Sequence, residues 1–117
     1  INGGVQLDLM GQENAESTGT RQLSGVGGQM DFLEGAYRSK GGKGFICINS
    51  SRVTKDGERK SNILATIPGG STISAPRTMI QYVASGKTLR ERAEAMASIA
   101  HPDFREELMK YAQENFK

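Results

Sequence analysis

The stretch Ser24-Gly25-Val26-Gly27-Gly28-Gln29-Met30-Asp31-Phe32 runs directly into Leu33-Glu34-Gly35-Ala36-Tyr37, and the expected fold turns on this junction. Gly25, Gly27 and Gly28 let the backbone take conformations closed to other residues and let a ligand approach main-chain N–H groups with no Cβ in the way. Phe32, Leu33, Ala36 and Tyr37 follow at helical spacing, which predicts a helix beginning near Asp31 with the glycines at its N-terminus. Unpaired N–H groups and the helix macrodipole favour negative charge there. On pattern alone the stretch serves two readings, a structural turn before a helix or an anion cradle. Its spacing matches neither the dinucleotide fingerprint nor the P-loop.

Upstream, Val5, Leu7 and Leu9 alternate with Gln6, Asp8 and Met10, a period of two that predicts a strand with one buried face, ended by Gly11. The polar segment from Gln12 to Gly19 reads as a loop, and Asn14, Glu16 and Arg21 read as solvated loop residues. Downstream, the apolar run Phe45-Ile46-Cys47-Ile48 predicts a central strand covered on both faces, with Cys47 as a small buried hydrophobe. Ile63 to Ile67 predicts a second strand, antiparallel to the first across a long charged tip that turns at Asp56-Gly57. Lys55, Arg59 and Lys60 on that tip read as a solvated charged loop, with phosphate attraction as the other reading. Pro68 and Pro76 make the segment from Pro68 to Thr78 an ordered loop or crossover, and Met79 to Val83 resumes a strand-like pattern.

The C-terminal third is helical by its punctuation. Thr88-Leu89-Arg90-Glu91 is a capping box, and Leu89, Ala93, Met96 and Ala100 form one apolar stripe behind it. Pro102 suits the first position of a further helix whose inner face is Phe104, Leu108, Tyr111 and Ala112. His101, the sole histidine, reads as an N-cap or packing residue rather than a catalytic one.

With 117 residues, 36% of them hydrophobic, 24% charged and 6% aromatic, the chain suits one small α/β domain. A net charge of +2, with cations spread among acids, lacks the electrostatic footprint of a nucleic-acid binder. No apolar run has the length of a membrane span, one cysteine excludes an internal disulfide and fits a reducing cytoplasm, and one His with one distant Cys makes no metal signature. The chain opens on Ile1 rather than Met, which reads as a piece of something longer.

Four separate stretches stand in the order of a known family: Gln22 to Phe32, Ser71 to Thr78, Gly86 to Ala93 and His101 to Arg105. The chain resembles the C-terminal domain of the acetyl-CoA hydrolase/transferase family, and within it the 4-hydroxybutyrate and butyrate/acetate CoA-transferases. The resemblance spans residues 1–117 and implies a three-layer α/β/α domain of the CoA-transferase type, with a mixed sheet and C-terminal helices. It implies a ping-pong reaction in which a glutamate carboxylate attacks an acyl-CoA, and CoA then passes through an enzyme-glutamyl-CoA thioester to a second small carboxylic acid. Coenzyme A is thereby implied as part of the substrate, with no metal, no nucleic acid and no membrane partner. A backbone N–H of the family's glycine loop belongs to the oxyanion hole; the matching position is Gly28, with Gly25, Val26, Gly27 and Gln29 around it. The family's CoA-approaching lysine matches Lys55.

Two departures accompany the likeness. None of the thirteen acidic residues matches the motif of the family's catalytic glutamate, so that group is expected in an N-terminal half of the same enzyme and the chain alone is expected to be inactive. The family's Thr-Glu-Tyr-Gly-like segment after the strand at Tyr82-Val83 has no counterpart, since Ala84-Ser85 lead straight to Gly86-Lys87. Three functions remain open at this point: a CoA-transferase part, a hydrolase part in which water takes the place of the second acid, and a non-catalytic CoA-binding or assembly domain. Oligomeric state is not legible, a homo-oligomer being open.

Overall fold

A computed structural model describes residues 1–77 and 86–117. Nine short strands precede or flank one helix, and two helices close the chain: β1 (Asn2–Gly3), β2 (Gln6–Asp8), β3 (Glu13–Asn14), β4 (Ser17–Thr18), β5 (Arg21–Gln22), α1 (Gln29–Arg38), β6 (Ile46–Cys47), β7 (Ser51–Val53), β8 (Arg59–Ser61), β9 (Ile63–Leu64), α2 (Leu89–Ser98) and α3 (Pro102–Asn115), counted among the described residues. The α/β class, a mixed sheet and C-terminal helices are as the sequence predicts.

The mixed sheet has the order β3-β2-β9. β2 runs antiparallel to β3, with Leu7 opposite Glu13, and parallel to β9, with Leu7 opposite Ile63. Leu7, Leu9 and Ile63 pack on Ala93, Met96, Ala97 and Ala100 of the α2 region and on Leu108 and Ala112 of α3. Small alanines on α2 let α3 approach closely, and each buried Leu, Ile or Met contributes about 1.5–3 kcal/mol by leaving water. β2 ends in a turn at Gly11 (φ +83°), where Asp8 Oδ1 accepts the Met10 and Gln12 amides, both at 3.0 Å.

Both C-terminal helices start as predicted. Thr88 Oγ1 accepts the Glu91 amide at 3.2 Å while the Glu91 carboxylate accepts the Thr88 amide at 2.7 Å. His101 Nδ1 accepts the Asp103 amide at 3.3 Å at the head of α3, with Pro102 in the first turn. Leu89 stays 42% exposed, so the α2 stripe narrows to its alanines and Met96.

Four strand expectations need correction. β2 is buried on both faces rather than one, because Gln6 and Asp8 are enclosed by hydrogen-bonded neighbours. The run Phe45 to Ile48 is no central strand: β6 pairs with β1 in a two-stranded parallel sheet, and Ile46 and Ile48 are half-buried while Phe45 and Cys47 face out. Cys47 is therefore an exposed free thiol, not a buried hydrophobe. The expected pairing of that run with Ile63–Ile67 is replaced by a β7–β8 hairpin, with Arg52 opposite Lys60, while β9 joins β2. Its turn falls at Asp56-Gly57 as predicted, Gly57 having φ +81°.

The segment from Pro68 is an ordered loop through Arg77, stitched to β3 by Glu13–Ala75 bonds of 2.9 and 3.1 Å. The predicted strand Met79 to Val83 lies outside the described residues. α1 begins at Gln29, two residues before the expected start, and buries Leu33 while Phe32 and Tyr37 remain exposed. Among the described residues no helix is long and apolar enough to cross a membrane.

Candidate functional site

The glycine loop is anchored at one end and uncommitted along its length. The Leu23 and Ser24 amides donate to the Glu16 carbonyl at 2.7 and 3.2 Å, which fixes where the loop leaves β5. Beyond that point the amides of Gly25, Val26, Gly27 and Gly28 donate no hydrogen bond to any described residue. Gly27 has φ +37°, a conformation that favours glycine, and Gly28 (φ −97°) is the N-cap of α1 with no side chain capping the first turn. The donors that a capping side chain would satisfy are thus left for another acceptor, at the positive end of the helix dipole.

These glycines line one side of an open cleft of ≈ 290 Å³, with Glu16 and Ser74 opposite. Ser74 Oγ donates to Glu16 Oε2 at 2.7 Å and accepts the Ala15 amide at 2.9 Å. Behind Glu16, Asn14 Oδ1 accepts the Glu16 and Ser17 amides at 3.0 Å each, and Asn14 Nδ2 donates to the Ser17 carbonyl at 2.8 Å. Ser17 Oγ accepts the Thr72 amide at 3.0 Å. The polar segment expected to be a solvated loop is therefore the buried floor of the cleft, with Asn14 fully enclosed and Glu16 7% exposed. Burial is tolerated because each polar side-chain atom of Asn14 has a partner, from Gln6, Glu16 or Ser17, while Thr72 and Ser74 bond the neighbouring Ser17 and Glu16 side chains. Arg21, by contrast, is exposed as expected.

Deeper still lies Glu13, with 0% of its surface accessible. Neither carboxyl oxygen has a hydrogen-bond partner among the described residues, and Gln29 Nε2 is likewise buried without one. Burial pushes the Glu13 carboxyl above its ordinary pKa; the Gln29 amide offsets part of that rise, and the neighbouring Glu16 charge adds to it. The amide is close enough to act on the carboxyl electrostatically without the alignment of a full hydrogen bond. Gly4 makes the room for this group, since a Cβ there would stand 2.8 Å from Glu13 Oε1.

The structure brings Gly25, Val26, Gly27, Gly28 and Gln29 to one cleft. Lys55 is not among its lining residues; it sits exposed on the β7–β8 tip. On the same hairpin Arg59 approaches Asp103 at 3.8 Å and Lys60 approaches Glu58 at 3.3 Å, so both behave as paired surface charges. Sequence reasoning missed Glu13 and Ser74 as parts of the site. Ser74 does stand in one of the four stretches that carry the family likeness, which was the available signal.

The acetyl-CoA hydrolase/transferase C-terminal domain family matches residues 1–112. The butyryl-CoA:acetate CoA-transferase of Anaerostipes caccae is 45% identical over 121 residues, covering 97% of this chain and 27% of that protein. The 4-hydroxybutyrate coenzyme A transferase of Clostridium kluyveri is 45% identical over 124 residues, covering 99% and 28%. Among solved structures, RipA from Yersinia pestis superposes with a TM-score of 0.77 at 36% identity over 97% of this chain and 27% of its own. The chain thus spans little more than a quarter of the length of these relatives. Motif order, fold and identity agree: the chain belongs to the acetyl-CoA hydrolase/transferase family, within the C-terminal domain of that family.

Proposed function

We propose that this chain is part of a CoA-transferase, in which its glycine loop stabilises the oxyanions formed as CoA moves between an acyl-CoA and a small carboxylic acid. The observation that carries the reading is the set of uncommitted amides from Gly25 to Gly28 along the cleft. The names of the similar proteins favour transfer over hydrolysis.

In the proposed sequence a glutamate carboxylate from elsewhere in the complete enzyme attacks the thioester carbonyl carbon. The carbonyl π pair moves onto oxygen, and the resulting oxyanion accepts hydrogen bonds from the Gly28 amide and its neighbours. Collapse expels the CoA thiolate and leaves an acyl-glutamyl anhydride. The thiolate then attacks the glutamyl carbonyl, releasing the acyl group as a carboxylate and leaving a glutamyl-CoA thioester. A second carboxylic acid reverses the two steps. Every attack passes through a tetrahedral oxyanion, and fixed donors aimed at it supply rate without reorganising during the reaction; losing one such donor costs roughly a hundred- to a thousandfold. Lys55, as the position matching the family's lysine, is proposed to meet a phosphate of CoA. An exposed free thiol at Cys47 supports assignment to a reducing compartment such as the cytoplasm.

The test is to incubate the complete enzyme with butyryl-CoA, with and without acetate. Acetyl-CoA formation that requires acetate is expected. CoA release at the same rate without added acid overturns the transferase reading in favour of a hydrolase. Loss of both products points to a binding or assembly domain.

A further inference from the structure

The buried Glu13 carboxyl, behind the cleft, and the buried side-chain nitrogen of Gln29, a residue of the cleft wall, both lack hydrogen-bond partners among the described residues. Glu13 belongs to β3, whose backbone is fixed on one side by β2 and on the other by the Ala75 bridge, so its side chain is delivered from a rigid frame. Gln29 is the first residue of α1 and immediately follows Gly28. Leaving a buried polar group without a partner is costly, so two such groups side by side strongly favour pairing with each other. A neutral carboxyl and a primary amide are complementary: the acid O–H donates to the amide oxygen, and the amide N–H donates to the acid carbonyl. The Gln29 N–H can donate to the carboxyl in either protonation state, and burial shifts Glu13 toward the protonated form that the second bond uses.

We infer that Glu13 is a positioning residue which, by pairing with the Gln29 side chain, holds the first turn of α1 and so fixes where the Gly28 amide points. The inference rests on the oxyanion role proposed for Gly28. Among the described residues no side chain caps this helix, Gly28 having none to do so. A tether through Gln29 accounts for a helix start that stays aimed while its amides remain uncommitted. Glu13 is absent from the cleft lining, so its effect falls on orientation and not on binding.

The test uses the complete enzyme carrying Glu13→Leu, Gln29→Met, the double variant or Glu13→Gln, with butyryl-CoA and acetate. Glu13→Leu and Gln29→Met should each lower kcat about tenfold, with KM for the acyl-CoA within about twofold, because a misaimed donor weakens the transition state and leaves ground-state binding alone. The double variant should be no worse than either single one, since both break one unit. Glu13→Gln, which keeps an amide-competent partner, should retain kcat within about threefold of the parent. Should Glu13→Leu not fold, Gln29→Met at its half-buried site carries the comparison. Parent-like kcat in Gln29→Met, or Glu13→Gln as impaired as Glu13→Leu, overturns the inference while leaving the transferase reading intact. A parent enzyme that forms no acetyl-CoA refutes that reading itself, and in that case ¹³C shifts of the Glu13 carboxyl, compared between the parent and Gln29→Met, decide the pairing alone. A shift identical in both proteins overturns the pairing.

Discussion

Ser74 Oγ donates to Glu16 Oε2 at 2.7 Å across 58 residues of sequence, and this bond is one of several that tie the loop after Pro68 to the acidic side of the cleft. The same oxygen accepts the Ala15 amide, so Ser74 serves as a two-way rivet. Its removal strands a nearly buried carboxylate and a backbone N–H together.

Ser74→Ala should therefore destabilise the protein by about 2 kcal/mol, the range for a hydrogen bond to a charged, poorly solvated group. Chemical denaturation checks it through the midpoint at constant slope. A change below about 0.5 kcal/mol, the level of an ordinary surface substitution, contradicts the account of the bond.

Gly28→Ala separates chemistry from folding. Gly28 has φ −97°, acceptable to alanine, and an added Cβ would lie 3.4 Å from the Phe32 ring, an ordinary contact. Stability should fall by about 0.5 kcal/mol, the usual gap between these residues at an N-cap. Turnover of the complete enzyme should drop at least about tenfold, because the methyl group disturbs the donors proposed for the oxyanion. Gly27→Ala should cost about 1 kcal/mol in addition to activity, its φ of +37° being a strained conformation for alanine. Near-normal turnover in Gly28→Ala removes Gly28 from the oxyanion role.

Two carboxyls give the stability profile opposite slopes in pH. Glu13 holds its proton in the folded state over a range in which the unfolded chain has lost it. Its contribution is thus complete below pH 4.5 and is lost as pH rises through the raised folded value. Glu91, pulled down by bonds to the Thr88 backbone and then by the Thr88 hydroxyl, contributes above its ordinary pKa and loses that contribution as pH falls through the lowered one. Thermal melts over this range should show Glu13→Gln flattening the decline on the rising side; an unchanged profile in that variant contradicts a buried neutral Glu13.

Thr88→Ala should cost about 1 kcal/mol, since it removes one half of the capping box and leaves the Glu91 amide without its acceptor. A melting temperature equal to that of the parent protein would show that α2 is held by its core face alone.

The two C-terminal helices were legible because their signals are local. Thr88 with Glu91, and His101 with Pro102, each complete a cap within a few residues, and no distant partner is needed to recognise them. The glycine loop was legible for the same reason, as the conformation at Gly27 and the helix start at Gln29 lie next to each other in sequence. The strands were not. Strands of two or three residues carry little periodicity, and the parallel pairing of Ile63 with Leu7 is decided by packing against α2 and α3. Asn14 and Glu16 carry the composition of a solvated loop, and only the bonds of Asn14 to Gln6 and Ser17 and of Glu16 to Ser74 reveal that they are enclosed. Cys47 misled because four consecutive apolar residues look the same whether one face or two are covered.

Gly4 illustrates how a site can depend on a residue with no chemistry of its own. It lies in a tight gap between the Glu13 carboxyl and Ile46, and any larger side chain would strike an oxygen at 2.8 Å and a methyl at 3.2 Å. Position 4 therefore bears on the site through volume rather than backbone freedom, since a side chain there would press the Glu13 carboxyl out of its present place.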